Sequence, residues 1–281
     1  MFREIKLSDQ AWIERCRDER TNALTVLSFP AVYTWQSSFG LTIDGDEDYY
    51  IIRSEADQGY YYPVGSQEAV RGCISELLQK QGSLKLIYVP ESELKWLEEL
   101  GAKTRREPDS SEYVYRSSSL ALNDRDSGKN YREKVRHFSR DNKWKIRSFH
   151  FPEDNEFLKQ IAAAPDREKR GSYSNLQAMR RAAEHPLELD LSGVYIETDL
   201  GEWAFLLGYP STSQIYDLTF LSYSISISRN VVPACICELA KRVCDRFPLI
   251  NMEDDMGIEG LRTMKKLYHP VFMLDSYTAV L

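Results

Sequence analysis

Apolar positions along this chain alternate in short two-residue periods, then switch to helical spacing, and the order of these stretches repeats once. The first cycle opens with a helix capped near Ser8 or Asp9 and running through Ala11-Trp12-Ile13. A loop carrying Phe29, Tyr33 and Trp35 is expected next, then strands over 49–53 and 60–62. Pro63-Val64-Gly65-Ser66 turns into an amphipathic helix with Ala69, Val70, Cys73, Ile74, Leu77 and Leu78 on one stripe, stopped by Gly82. Residues 84–89 read as a buried strand, 91–100 as a helix ended by Gly101, and 112–116 as a returning strand.

The second cycle places strands over 144–149, 194–197, 203–207 and 215–221, with helices near 153–164 and 173–185. A helix with Pro233 in its first turn carries Ile236, Leu239, Ala240, Val243 and Phe247 inward. A short strand at Leu249-Ile250 and a helix over 258–268 close the cycle. Strands followed by helix, strand, helix and strand in each half predict an α/β protein of the α+β type. Its two tandem units, each a mixed sheet flanked by helices, are expected at 1–122 and 123–281. The seam falls in 117–129, rich in Ser, Asn, Asp and Gly.

Composition narrows the function classes. No apolar run approaches the roughly 18 residues needed to span a bilayer. The start, Met1-Phe2-Arg3-Glu4-Ile5-Lys6, is too polar for a signal peptide, so a cytoplasmic location is expected. The five cysteines are an odd count, and Cys73, Cys235 and Cys244 fall on helical apolar faces. Cys235-Ile236-Cys237 lacks the second ligand pair of a zinc site, and no histidine pair has metal spacing, so no metal is expected. A net charge of −7 argues against nonspecific nucleic-acid binding by a basic surface.

Two segments carry candidate chemistry. In the first, Glu253, Asp254 and Asp255 stand between apolar runs just before the last helix, which holds Arg262 and Lys265. Acids there complement the helix dipole, and Asp255–Arg262 or Glu253–Lys265 pairs would neutralise buried charge. The same residues suit catalysis, with Glu253 or Asp255 as general base and Arg262 or Lys265 steadying an oxyanion. In the second, residues 129–147 hold eight Lys and Arg against Glu133 and Asp141. Lys134, His137 and Asp141 share one helical stripe, and Arg132, Arg136 and Arg140 another. Tyr131, Phe138 and Trp144 supply aromatic surface. That run reads either as a phosphate groove or as a solvated helix face.

A strand, a turn and an amphipathic helix in each half is the arrangement by which GNAT-type acyltransferases hold a donor's phosphates on backbone N–H groups. The glycine-rich coenzyme A signature is not intact here. The second half offers Arg229-Asn230-Val231-Val232-Pro233-Ala234, with valine where close phosphate approach wants glycine. Pro233 also removes one N–H.

With these halves laid out, the chain resembles the C-terminal domain of phosphatidylglycerol lysyltransferases and its stand-alone bacterial relatives. The resemblance rests on Trp35, Pro63-Val64-Gly65, Tyr113-Val114-Tyr115 followed by Leu120, the block from Gly128 to Phe138, and the block from Asn251 to Pro270. The last reads in relatives as Asn-x-Glu-Glu-Asp-Leu-Gly, then Gly-Leu-Arg, a lysine three residues on, and Tyr-x-Pro. Asn251, Glu253, Asp255, Gly257, Gly260, Leu261, Arg262, Lys265, Tyr268 and Pro270 fit, with Asp254 in place of a glutamate.

The resemblance implies two tandem GNAT-like domains and transfer of an aminoacyl group from aminoacyl-tRNA to an amine or hydroxyl acceptor. It would make Lys134, Arg136, His137 and Arg229 the donor-binding residues, and Glu253, Asp255, Arg262 and Lys265 the catalytic set. Partners would then be a tRNA acceptor end and a small-molecule or peptide acceptor. The sequence departs from the pattern at Val135 and Arg136, in the insert 123–127, and in Ile225-Ser226-Ile227-Ser228-Arg229, which lacks a carboxylate on the strand expected to enter the second-half helix. These departures motivate a second hypothesis, a noncatalytic binding protein that keeps the tandem fold. Coenzyme A-dependent N-acetyl transfer ranks third.

Overall fold

The computed structural model describes residues 1–18, 24–124, 126–141, 143–163, 175–224 and 226–281. The chain divides into two compact units. The first comprises Met1–Ser111, Ala162–Ala182 and Asp275–Leu281, and the second Glu112–Ile161 and Ala183–Leu274. The units are therefore interleaved in sequence, whereas the reading above set them end to end at 1–122 and 123–281. The stretch 117–129 lies inside the second unit.

In the first unit, α1 (Gln10–Asp18) and α2 (Phe29–Phe39) precede β1 (Leu41–Gly45), β2 (Tyr49–Ser54), β3 (Gly59–Tyr61) and β4 (Val64–Gly65). Then come α3 (Gln67–Gln81), β5 (Lys85–Val89), α4 (Leu94–Glu99) and β6 (Lys103–Arg106). The second unit starts with β7 (Glu112–Arg116), α5 (Ser117–Leu120), α6 (Lys129–Asp141) and β8 (Trp144–Ser148). After α7 (Asn155–Ala163) comes α8 (Asn175–Glu184), which falls mostly in the first unit, and the second unit continues with β9 (Ser192–Thr198), β10 (Trp203–Pro210), β11 (Ile215–Tyr223) and α9 (Val231–Val243). It ends with β12 (Leu249–Asn251), α10 (Glu259–Leu267) and β13 (Phe272–Leu274), while β14 (Tyr277–Val280) belongs to the first unit.

Each unit is built on a seven-stranded mixed sheet. The first runs β1-β2-β3-β5-β14-β6 with β4 on β2, and the second β13-β7-β12-β11-β10-β9-β8. Each sheet has one parallel pair, β3 with β5 and β11 with β12, and the helix that joins it, α3 or α9, makes the crossover a parallel pair requires. The start of α3 is fixed as the sequence reading expects. Ser66 accepts from the Ala69 N–H at 3.4 Å, and Gly82 ends the helix in the left-handed conformation at φ 75°.

Three expectations need correction. Residues 29–39 form a helix, not a loop. Ser28 Oγ accepts from the Ala31 N–H at 3.3 Å, Pro30 sits in the first turn, and Gly40 at φ 61° stops it. Phe29 to Thr34 and Gln36 are all buried, so the helix has no single apolar stripe for periodicity to show. The strand at 112–116 joins the second sheet, pairing with β12 and β13, rather than closing the first. The place it was expected to fill is taken by β14 from the far end of the chain, between β5 and β6. Lastly, β11 ends at Tyr223, so 226–230 is a turn leading to α9 and not a strand; Ile225 lies outside the described residues, as do 164 and 173–174 at the ends of the two helices expected between the strands.

The core of the second unit places α6 and α9 on one face of its sheet. Tyr131, Val135 and Phe138 of α6 and Val231, Cys235, Leu239 and Ala240 of α9 pack with Val194, Ile196, Ala204 and Leu206. Burial pushes the Cys73 and Cys237 thiols up to about 11, so both stay protonated at neutral pH. Among the described residues no helix is long and apolar enough to cross a membrane.

The approach to α6 is set by a close backbone contact. A Cβ at Gly128 would lie 2.1 Å from the Leu267 carbonyl oxygen of α10. Gly128→Ala must push these two elements apart, and we expect a loss of about 1–3 kcal/mol, as for other overpacked sites. Denaturant titration of the full chain checks it.

Candidate active site

The parallel ladder between β11 and β12 is short. It pairs Ile215, Tyr216 and Asp217 with Leu249, Ile250 and Asn251, and then stops. From there β11 runs on to Tyr223 while the other chain turns off into the acidic loop, so the two strands part at Asp217 and Asn251. Just past this point β11 carries a bulge. Leu218 opposes Gly208 and Phe220 opposes Leu207, which leaves Thr219 without a cross-strand partner on β10. Bulges re-aim side chains and are common beside active sites.

The residues at this fork are polar and buried. Asp217, Asn251 and Asp255 are fully buried, Glu112 and Lys265 nearly so. Asn251 Nδ2 donates to Glu112 Oε2 at 2.5 Å, and its Oδ1 accepts from the Glu253 N–H at 2.8 Å. These contacts begin a loop whose conformation few side chains tolerate. Glu253 has φ 56° and Met256 φ 51°, both in the left-handed region.

The loop is held there by Lys265, reaching up from α10. Its Nζ donates to the carbonyl oxygens of Met252 at 2.5 Å, Glu253 at 3.2 Å and Asp254. Three ammonium protons meet three carbonyls, which is the whole donor capacity of a lysine. Asp255 is equally committed. Arg262 donates from Nε to Oδ2 at 2.9 Å and from a terminal nitrogen to Oδ1 at 2.8 Å. Tyr113 OH donates to Oδ2 at 2.6 Å, and the Gly257 N–H to Oδ1 at 3.0 Å. Although burial opposes ionisation of Asp255, the Arg262 and Tyr113 bonds outweigh it and hold its carboxyl below the usual carboxylate range.

Glu253 differs. Burial, with Asp254 and Glu112 adding repulsion, pushes its carboxyl well above the usual carboxylate range, against the pull of Lys265. The Thr219 hydroxyl lies beside it. Burial lowers the Lys265 ammonium, and the surrounding carboxylates, Glu253 first, oppose that shift.

All four residues of the expected catalytic set thus meet in one place, Glu253 and Asp255 in the loop after β12 and Arg262 and Lys265 on α10. The expected donor-binding residues lie elsewhere in the same unit. Lys134, Arg136 and His137 are on the outer side of α6, where His137 Nδ1 is 2.8 Å from an Arg140 nitrogen. Arg229 is exposed in the turn before α9. The first turns of α9 are not an open cradle, because Val231 and Ala234 are buried in the core. The basic run 129–147 is also divided by the sheet. Trp144 and Ile146 of β8 face the α6 side, so by strand alternation Lys145 and Arg147 project from the opposite face.

Sequence reasoning missed Glu112, Asp217 and Thr219. One signal was present: Asp217 stands inside Ile215-Tyr216-Asp217-Leu218-Thr219-Phe220, an otherwise strand-like run where an acid is costly.

The comparisons with known proteins agree with this architecture. A protein of unknown function from Bacteroides thetaiotaomicron superposes with a TM-score of 0.87 at 21% identity, covering 100% of this chain and 99% of its own. The C-terminal domain of a lysylphosphatidylglycerol synthetase from Agrobacterium fabrum gives 0.71 at 13% identity, covering 98% and 92%. FemX gives 0.66 at 9% identity, covering 99% and 96%. No curated protein matches the sequence.

Asp255→Asn should cost on the order of 3 kcal/mol, the low end for breaking a buried pair because Arg262 is partly exposed. The sign with pH follows from the lowered carboxyl. The Asp255 contribution is complete above the unfolded value near 4 and is lost as pH falls through the depressed folded value. Thermal melts from about pH 6 down to about pH 2 should therefore show a constant gap between wild type and variant above about pH 5 and convergence at the acid end.

Residues 18–280 match the family described as Phosphatidylglycerol lysyltransferase, C-terminal, and with nearly the whole length matched the chain belongs to that family.

Proposed function

We propose that the protein is an acyltransferase that moves an aminoacyl group from aminoacyl-tRNA to an amine or hydroxyl acceptor, with Glu253 as its general base. The observation that carries this is the contrast between two neighbouring carboxyls. Asp255 is saturated by Arg262, Tyr113 and a backbone N–H and held ionised, whereas Glu253 is half-buried, raised and kept in a left-handed backbone conformation. A carboxyl whose affinity for protons is raised toward neutrality is the better general base. Family membership supports the reaction class.

In this scheme the acceptor's amine or hydroxyl attacks the ester carbonyl of the donor. Its proton passes to Glu253 and then to the departing ribose oxygen, so the carboxylate is regenerated at each turnover. Asp255, Arg262 and Lys265 are positioning residues, since their polar atoms are engaged with one another and with the loop backbone. Lys134, Arg136, His137 and Arg229 would meet the donor's phosphates. Coenzyme A is a poorer donor, because the start of α9 is packed into the core and Pro233 lacks an N–H.

Two measurements test this reading. Thermal stabilisation should appear with a nonhydrolysable aminoacyl minihelix and weaken as salt rises, because binding to the native state alone stabilises it. Stabilisation by acyl-coenzyme A and not by the minihelix would move the protein to N-acyl transfer, and none with either would favour the noncatalytic reading. For catalysis the variant is Glu253→Gln, assayed by discharge of labelled aminoacyl-tRNA to phosphatidylglycerol vesicles and to small amines. We expect a loss of about 10²–10⁴-fold. Stability should move the other way. The unfolded carboxyl ionises near 4.3 and the folded one later, so ionising Glu253 destabilises the native state as pH rises through that window. At neutral pH the Gln variant should melt no lower than wild type. A variant that unfolds would make Glu253 architectural.

A further inference from the structure

Large apolar side chains are exposed on α10 and in the segments that flank it. Met256, Ile258, Leu267, Val271 and Phe272 are 66%, 44%, 38%, 44% and 43% exposed, half of the large exposed apolar residues among those described. Such clustering marks interaction surfaces, whereas single exposed apolar residues do not. The helix itself is two-sided. Leu261, Met264, Lys265 and Tyr268 form its inner stripe, and Glu259, Gly260, Thr263, Lys266 and Leu267 its outer one.

Gly260 is a second, independent pointer. A Cβ there would meet no atom within 4 Å, and its φ is not in the left-handed region, so nothing in this chain requires glycine. Gly260 stands in the first turn of α10, where glycine gains nothing over a residue with a side chain unless another backbone comes close.

We propose that this surface is the contact of a homodimer in which α10 packs antiparallel against α10 of a second copy, about a two-fold axis passing between Arg262 and Thr263. That axis sets Glu259 opposite Lys266 of the second copy, and Ile258 opposite Leu267, each pair occurring twice as an isologous contact requires. Gly260 and Thr263 lie nearest the crossing, where small side chains let helices approach. The self-complementary charge identifies the occupant. An anionic lipid surface would want a basic rim, whereas here Glu259 and Lys266 balance within one helix face. The inference stands apart from the transferase reading, although α10 also carries the Arg262 and Lys265 that hold the acidic loop.

Sedimentation velocity of the full chain from about 1 to about 100 µM tests it. The expected result is a monomer–dimer equilibrium. Lys266→Glu and Glu259→Lys should each raise the dimer dissociation constant about tenfold, and the double variant should recover to within about threefold of wild type. Both positions are exposed, and circular dichroism confirms that the variants fold. Ile258→Asp should leave a monomer. A monomer across the whole range, or a dimer indifferent to both charge reversals, overturns the proposal. A monomer that floats with anionic phospholipid vesicles overturns it too, by assigning the surface to lipid.

Discussion

The site depends on one interaction, the Lys265 ammonium gathering the carbonyls of Met252, Glu253 and Asp254. A backbone that turns back on itself aims successive carbonyls at the same point, and something must satisfy them if they are buried. A charged donor with three protons does this with no remainder. Charge-assisted bonds of this kind contribute about 1.5–3 kcal/mol each, more together than the roughly 1–3 kcal/mol of a single left-handed non-glycine residue. The strained conformation of Glu253 is thus over-determined by its surroundings. It fixes where that carboxyl goes: back toward the fork between β11 and β12, beside Thr219 at the bulge.

The same constraint separates the roles of adjacent acids. Lys265 spends its protons on backbone, so it lends Glu253 only longer-range attraction and no hydrogen bond to the carboxyl itself. Asp255, two residues on, takes the guanidinium of Arg262 instead. One carboxyl is therefore held ionised and inert, while its neighbour is desolvated and made basic. Pairs whose environments drive their proton affinities apart are the usual source of acid–base function at neutral pH. On the proposed reading, this asymmetry is what fits Glu253 and not Asp255 for proton transfer.

Much of the frame was legible in the sequence because it depends on local pattern. The helix over 67–81 announces itself through its stripe, Ser66 and Gly82, and α10 through its acidic approach and Pro270. What was not legible depends on long-range pairing. Nothing local to Tyr277–Val280 says that this strand belongs between β5 and β6, nearly two hundred residues earlier in the chain. Likewise Glu112 and Asp217 join the site only because β7 and β11 flank β12 in the sheet. The helix at 29–39 was missed for another reason. It is buried on most sides and rich in aromatic and β-branched residues, types that weigh toward strand or loop.

The basic run shows how far a one-dimensional pattern can mislead about a surface. Eight cations within nineteen residues read either as one phosphate groove or as a solvated helix face. Yet α6 turns Tyr131, Val135 and Phe138 inward and lies on one face of the sheet, while β8 is an edge strand. Its even-numbered residues go to the core on the α6 side, so its odd-numbered cations must leave by the other face. Some are then spent locally. Arg147 pairs with Asp154 at 2.6 Å, and Lys145 lies across from Glu197 on β9. A polyanion approaching the α6 face therefore meets Lys134, Arg136 and their neighbours but not the cations of β8. The cations that face can present are fewer than the run displays in sequence, because Lys145 and Arg147 leave by the other side of the sheet.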